Sequence, residues 1–127
     1  MDSNFHSHCT FCDGRSHPED FVKFAVARGF RAYGFSSHAP LPFETSWNMT
    51  KDDMPEYLAE IDRLKKKYER KIELYVGLEI DYLDETYHAA VPFFRVLKRQ
   101  GKLKIFESFS LIFLKVRIAS FLTNSVL

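Results

Sequence analysis

The apolar positions of this chain change period along its length, and each change marks an element. Asn4 to His8 is a short stretch ahead of turn-forming residues, and it predicts a first strand ending in His6-Ser7-His8. In "SHPEDFVKFAVARG" the residues Phe21, Val22, Ala25 and Val26 recur at the helical period and fall on one face. Ser16 and Glu19 have capping-box spacing, Pro18 suits the first turn, and Gly29 suits the left-handed position after the helix. "FRAYGFSSHAP" alternates apolar and small residues and closes on Pro40, which predicts a second strand ending near His38. "LPFETSWNM" reads as a loop. Thr50 and Asp53 then give another capping signal, and Met54, Tyr57, Leu58, Ile61, Leu64 and Tyr68 form the buried stripe of a long helix. "KIELYVGLEIDYL" is a third strand, reaching Glu79 through Gly77 and Leu78.

The fold class is therefore α/β. The order β-α-β-α-β predicts parallel strands joined by right-handed helical crossovers. In such folds all strands point the same way, so the residues at their C-terminal ends gather on one rim. His6 and His8, His38, and Glu79 each stand at or just past the end of a different predicted strand. Residues distant in sequence are expected to converge there.

Their chemistry is that of a metal site. Side chains alternate with period two along a strand, so both histidines of His6-Ser7-His8 face the same way and can grip one cation. Borderline divalent ions such as zinc, manganese or iron accept imidazole and carboxylate together, which makes His6, His8, Asp13, His38 and Glu79 a coherent metal-ligand set. A carboxylate such as Glu79 can bridge two metals, and metal pairs are a common device for hydrolysing phosphate esters. A pair of histidines alone is a weak pointer; the added aspartate, strand-terminal histidine and strand-terminal glutamate make the signal. Cys9 and Cys12 are spaced C-x-x-C and read as free thiols, a redox pair or half a zinc site; small buried or half-buried residues are the plainer reading. His17 reads as part of the first helical turn and His88 as part of a surface helix. Phe43 and Trp47 either shape a substrate pocket or plug the rim.

Composition narrows the function classes. At 127 residues, one hydrophobic core is expected. A net charge of +1 signals neither a nucleic-acid surface nor an acidic tail. No basic stretch followed by an apolar run opens the chain, so no signal peptide is expected and the expected location is cytoplasmic. The average conceals a break: beyond Glu85 the only acidic residue is Glu107, against seven lysines and arginines. "FSLIFLKVRIASFL" is apolar but interrupted by Lys115 and Arg117, short of the roughly 18 uninterrupted residues a membrane span needs.

Three ordered motifs, "HSHCTFCDG", "GFSSHAPLPF" and "YVGLEIDYL", resemble the polymerase and histidinol phosphatase (PHP) superfamily, and within it the histidinol-phosphatase branch. The resemblance covers roughly residues 4–94. It implies the N-terminal part of a distorted (β/α)7 barrel, with two or three divalent metal ions at the strand C-termini. The activity it implies is hydrolysis of L-histidinol phosphate, a small-molecule phosphate ester, to L-histidinol and phosphate in histidine biosynthesis. By resemblance, His6 and His8 match the first metal motif, Asp13 the aspartate of the following loop, His38 the second motif, and Glu79 the bridging carboxylate. It assigns no catalytic or substrate-binding residue beyond these.

Two departures stand out. Ser37 occupies a position that is often aspartate in the superfamily, where it would orient the neighbouring histidine. The later ligands also have no counterpart, since no histidine follows His88 and no aspartate follows Asp84. The expectation is a partial PHP domain over residues 1–95 and a divergent basic and apolar tail over 96–127, as a frameshift or premature stop would give. Open barrel edges would then invite self-association. Another PHP-type phosphoesterase and a non-catalytic metal-binding fragment are the alternative readings.

Overall fold

A computed structural model describes residues 3–81 and 83–87. The expected helix around His88, the boundary at residue 95 and the tail over 96–127 lie outside these residues. The elements run β1 (Ser3–Asn4), α1 (Pro18–Ala27), β2 (Ala32–His38), α2 (Asp53–Tyr68) and β3 (Glu73–Glu79). The three strands form one parallel sheet in the order β1-β2-β3. The predicted alternation is thus observed. The seven-stranded barrel that the resemblance implies is not seen in full among the described residues.

Register follows from the two longer strands. Ala32 pairs with Glu73, and the match runs residue by residue to His38 opposite Glu79. Both helices pack on the sheet and on each other. Val22 and Ala25 of α1, Phe35 of β2, and Tyr57, Ile61 and Leu64 of α2 are fully buried. Full burial of one such aliphatic side chain contributes about 1.5–3 kcal/mol, so these few residues carry much of the drive to dock helix on sheet. Phe21 extends the core by stacking near Tyr33 and meeting Phe35 edge-on, both with centroids 6.3 Å away. The Tyr57 hydroxyl donates to the Gly77 carbonyl at 2.8 Å, tying α2 to the stretch of β3 that leads to Glu79.

The helix ends show where local chemistry agreed with the pattern. Thr50 and Asp53 form a reciprocal capping box: the Asp53 N–H donates to Thr50 Oγ1 at 3.0 Å, and the Thr50 N–H to Asp53 Oδ2 at 3.1 Å. Gly29 adopts φ 74°, and the Phe30 N–H reaches the Ala25 carbonyl at 3.0 Å, closing α1 as expected for glycine after a helix. The start of α1 differs. His17 is the cap, its Nδ1 accepting from the Glu19 N–H at 3.3 Å. Ser16 does not form the expected box, because Glu19 turns to α2, where it accepts from Lys67 at 2.6 Å, Tyr68 at 2.8 Å and Arg63 at 3.0 Å.

Candidate metal centre

The first strand stops earlier than its pattern predicts. The Asn4 side chain accepts the His6 N–H at 2.9 Å, so a local side-chain bond replaces the next rung of the ladder. The chain nevertheless stays beside β2. The Ser36 N–H donates to the Ser7 carbonyl at 2.9 Å and Ser7 Oγ donates to the Gly34 carbonyl at 3.0 Å. Ser7 is thereby buried against β2, and the histidines on either side of it share the opposite face, their Nε2 atoms 3.0 Å apart. The two-residue periodicity survives without strand geometry.

The next loop folds back on itself. The Cys9 carbonyl accepts the N–H of both Cys12, at 3.0 Å, and Gly14, at 3.1 Å. A Cβ on Gly14 would lie 2.2 Å from the His8 carbonyl oxygen, so this return path is open only to glycine. It carries Asp13 to the histidines: Asp13 Oδ1 is 2.9 Å from His8 Nδ1, and Oδ2 is 3.3 Å from His38 Nε2.

The other two contributors end neighbouring strands. The Ala39 N–H donates to the Glu79 carbonyl at 2.9 Å, continuing the ladder just past the paired residues. Glu79 Oε2 stands 3.0 Å from His8 Nε2 and 3.8 Å from both His6 Nε2 and His38 Nδ1. Two groupings result, His6-His8-Glu79 and His8-Asp13-His38, each with its ligand atoms within 4.8 Å of one another and with His8 in common. His38 and Glu79 form the floor, each with 6% of its side chain exposed, while His6 at 41% and Asp13 at 44% form the open rim.

Electrostatics favour a cation here. Burial works against a charge on His8, but its bonds to Cys12, Glu79 and Asp13 outweigh that and lift it to about 10. Burial, with the neighbouring His8, lowers His6 against the opposing pull of Glu79. For Asp13, burial acts upward, yet the contact with His8 and the charges of His38 and His8 hold it below the usual carboxylate range. A carboxylate as buried as Glu79 is costly without positive partners, and three imidazoles supply the surroundings of one. Nitrogen and oxygen donors in this mixture suit zinc, manganese or iron, so the residues present fit a divalent ion.

All five residues singled out by pattern and resemblance are brought together. Among the rest, His17 caps α1 and faces Glu60, with Nε2 3.8 Å from its carboxylate. Phe43 is exposed, whereas Trp47 meets the His38 ring edge-on at 4.9 Å. Ser37 bonds the buried Cys9 thiol at 3.3 Å, and Asp13, Glu79, His8 and Trp47 are among the groups that meet the His38 ring. The sequence pattern places Phe43 and Trp47 either in a substrate pocket or as plugs of the rim, without pointing to His38, and reads Cys12 as a small half-buried residue. The signal for Cys12 was its position four residues after His8 in a turn-forming stretch.

The PHP domain family model matches residues 2–122. A histidinol-phosphatase of Bacillus subtilis (strain 168) is 34% identical over 89 residues, covering 63% of this chain and 33% of that protein. A crystal structure of a candidate histidinol phosphatase from Listeria monocytogenes shares 27% identity at a TM-score of 0.62, covering 78% of this chain and 40% of that one. The histidinol phosphate phosphatase of Lactococcus lactis subsp. lactis, solved with zinc, L-histidinol and phosphate, aligns at a TM-score of 0.60 with 24% identity, over 75% of this chain and 35% of that one. The chain spans about a third of the length of the curated relatives it matches.

Proposed function

This chain belongs to the PHP domain family, and from that premise we propose that it is the metal-binding part of a phosphatase acting on L-histidinol phosphate in histidine biosynthesis. The observation that carries the reading is the meeting of three imidazoles and two carboxylates from the ends of three strands and the loop after the first, centred on the 3.0 Å approach of Glu79 to His8. The names of the relatives support the substrate, and the donor set supports a divalent ion.

His6, His8, Asp13, His38 and Glu79 would hold the ion or ions. When bound, such ions supply a hydroxide near neutral pH and a positive clamp for phosphoryl oxygens. The remaining work belongs to the protein. Asp13 touches His8 and His38 and so fixes two rings at once. Trp47 packs edge-on against one side of the His38 ring. Buried Glu79 anchors the floor, while the exposure of His6 and Asp13 leaves the rim open to a phosphate ester.

The test uses the full 127-residue chain, stripped and reloaded with manganese or zinc. Elemental analysis should find bound metal that His6→Ala with His8→Ala removes, and phosphate release from L-histidinol phosphate should be slow and metal-dependent. A wild-type chain that retains no metal, or a double variant that retains as much, would overturn the reading. Metal retention with no phosphate release would favour the non-catalytic alternative.

A further inference from the structure

Cys12 also stands at the donor cluster, and the proposed function leaves it unused. Its Sγ lies 3.5 Å from Asp13 Oδ1 and 3.8 Å from His8 Nδ1. Those spacings have a meaning for a metal. Two donors on one tetrahedral ion stand about 3.5 Å apart when the sulfur bond is about 2.3 Å and the nitrogen or oxygen bond about 2.0–2.1 Å. The sulfur therefore already sits where a shared ligand would, without any change of backbone.

The backbone delivers it there. Cys12 closes the turn from Cys9 through its N–H, and Gly14 closes the same carbonyl, so the position of Cys12 is fixed at both ends of the loop that also carries Asp13. Cys12 is half-buried and a free thiol, open to an incoming ion. Cys9 is the contrasting case: it has no exposed surface and its sulfur faces Ser37 in the core. Of the two thiols, only Cys12 combines access with donor neighbours.

We propose that Cys12 is a thiolate donor to a cation held by His8 and Asp13, tuning the centre toward zinc or ferrous iron and away from manganese or magnesium. The inference rests on the metal-binding reading above and adds a ligand class to it. A soft thiolate favours the softer ions, whereas carboxylate and imidazole alone leave manganese competitive. As the sulfur–metal bond forms, the S–H bond breaks and its proton passes to solvent, with no change of oxidation state.

Cobalt(II) separates the two layers of the argument in the full chain. Bound cobalt, counted by elemental analysis, reports the site, and a thiolate-to-cobalt charge-transfer band in the near ultraviolet reports sulfur ligation. The wild type should show both. Cys12→Ser should keep bound cobalt and lose the band, while Cys9→Ser should keep both. Zinc affinity should fall about tenfold or more in Cys12→Ser with manganese affinity changed far less, on the scale of losing a supporting group at a metal site. On the unaltered chain, zinc should also protect one thiol from alkylation, identified as Cys12 by peptide mass, so the outcome does not depend on the variant folding. Bound cobalt without the band, a band surviving Cys12→Ser, or alkylation of Cys12 undiminished by zinc would each overturn the inference and leave the metal-binding reading standing. A wild-type chain that binds no cobalt would overturn both.

Discussion

His38 and Glu79 are paired Cα to Cα at the last rung between β2 and β3, and their side chains approach to 3.8 Å on the floor of the cluster. Because the register is continuous back to Ala32 and Glu73, a carboxylate and an imidazole separated by 41 positions, from 38 to 79, are set together by strand pairing rather than by loops.

Glu79→Gln keeps the size of the side chain but removes its charge. Even outer groups at metal sites contribute about 10–100-fold in affinity, so loss of a buried ligand should cost no less. Zinc titration with a competing chelator should show the drop, and unchanged affinity would remove Glu79 from the site.

Tyr57→Phe deletes the hydroxyl that bonds Gly77. A buried hydrogen bond lost in this way costs about 1–3 kcal/mol. The urea midpoint should fall accordingly while the metal stoichiometry stays the same, since the hydroxyl meets a β3 carbonyl and not a donor. A midpoint equal to wild type would show the tie to be dispensable.

Gly14→Ala tests the loop. The new methyl would stand 2.2 Å from the His8 carbonyl, so the backbone from His8 to Gly14 must shift. Overpacking of this kind costs about 1–3 kcal/mol, and here it also displaces Asp13. Stability and metal affinity should fall together; a loss confined to stability would mean that Asp13 keeps its place by other means.

Acid should loosen the join between the two helices. Bonds from Lys67, Tyr68 and Arg63 pull Glu19 from 4.5 to about 2. A carboxyl lowered on folding stabilises the native state above its unfolded value and loses that contribution as pH falls through the folded one. The loss is therefore expected between about 4.5 and about 2. Urea midpoints measured across that window should decline, and Glu19→Gln should flatten the decline; an equal slope in both proteins would point to other carboxylates.

The legible part of this chain was the part governed by period. The stripe from Met54 to Tyr68 required one buried face, while the runs ending at His38 and Glu79 are buried on both faces from Tyr33 and Val76 onward, so helical spacing located the first and unbroken small and apolar residues the other two. What stayed hidden depended on single side chains bonding nearby backbone. Asn4 takes the His6 N–H and ends β1 after two residues, and His17 takes the capping role assigned to Ser16. Both are short-range competitions that hydrophobic patterning does not register. The place of Cys12 was hidden for another reason: it depends on the path of a loop, and that path is set by the clearance at Gly14.

The sheet adds its strands in the order in which they are translated, β1 then β2 then β3. A nascent chain therefore carries His6, His8, Asp13, His38 and Glu79 once Glu79 has left the ribosome tunnel. The five side chains can thus meet as soon as β3 pairs with β2, without waiting for residues translated later.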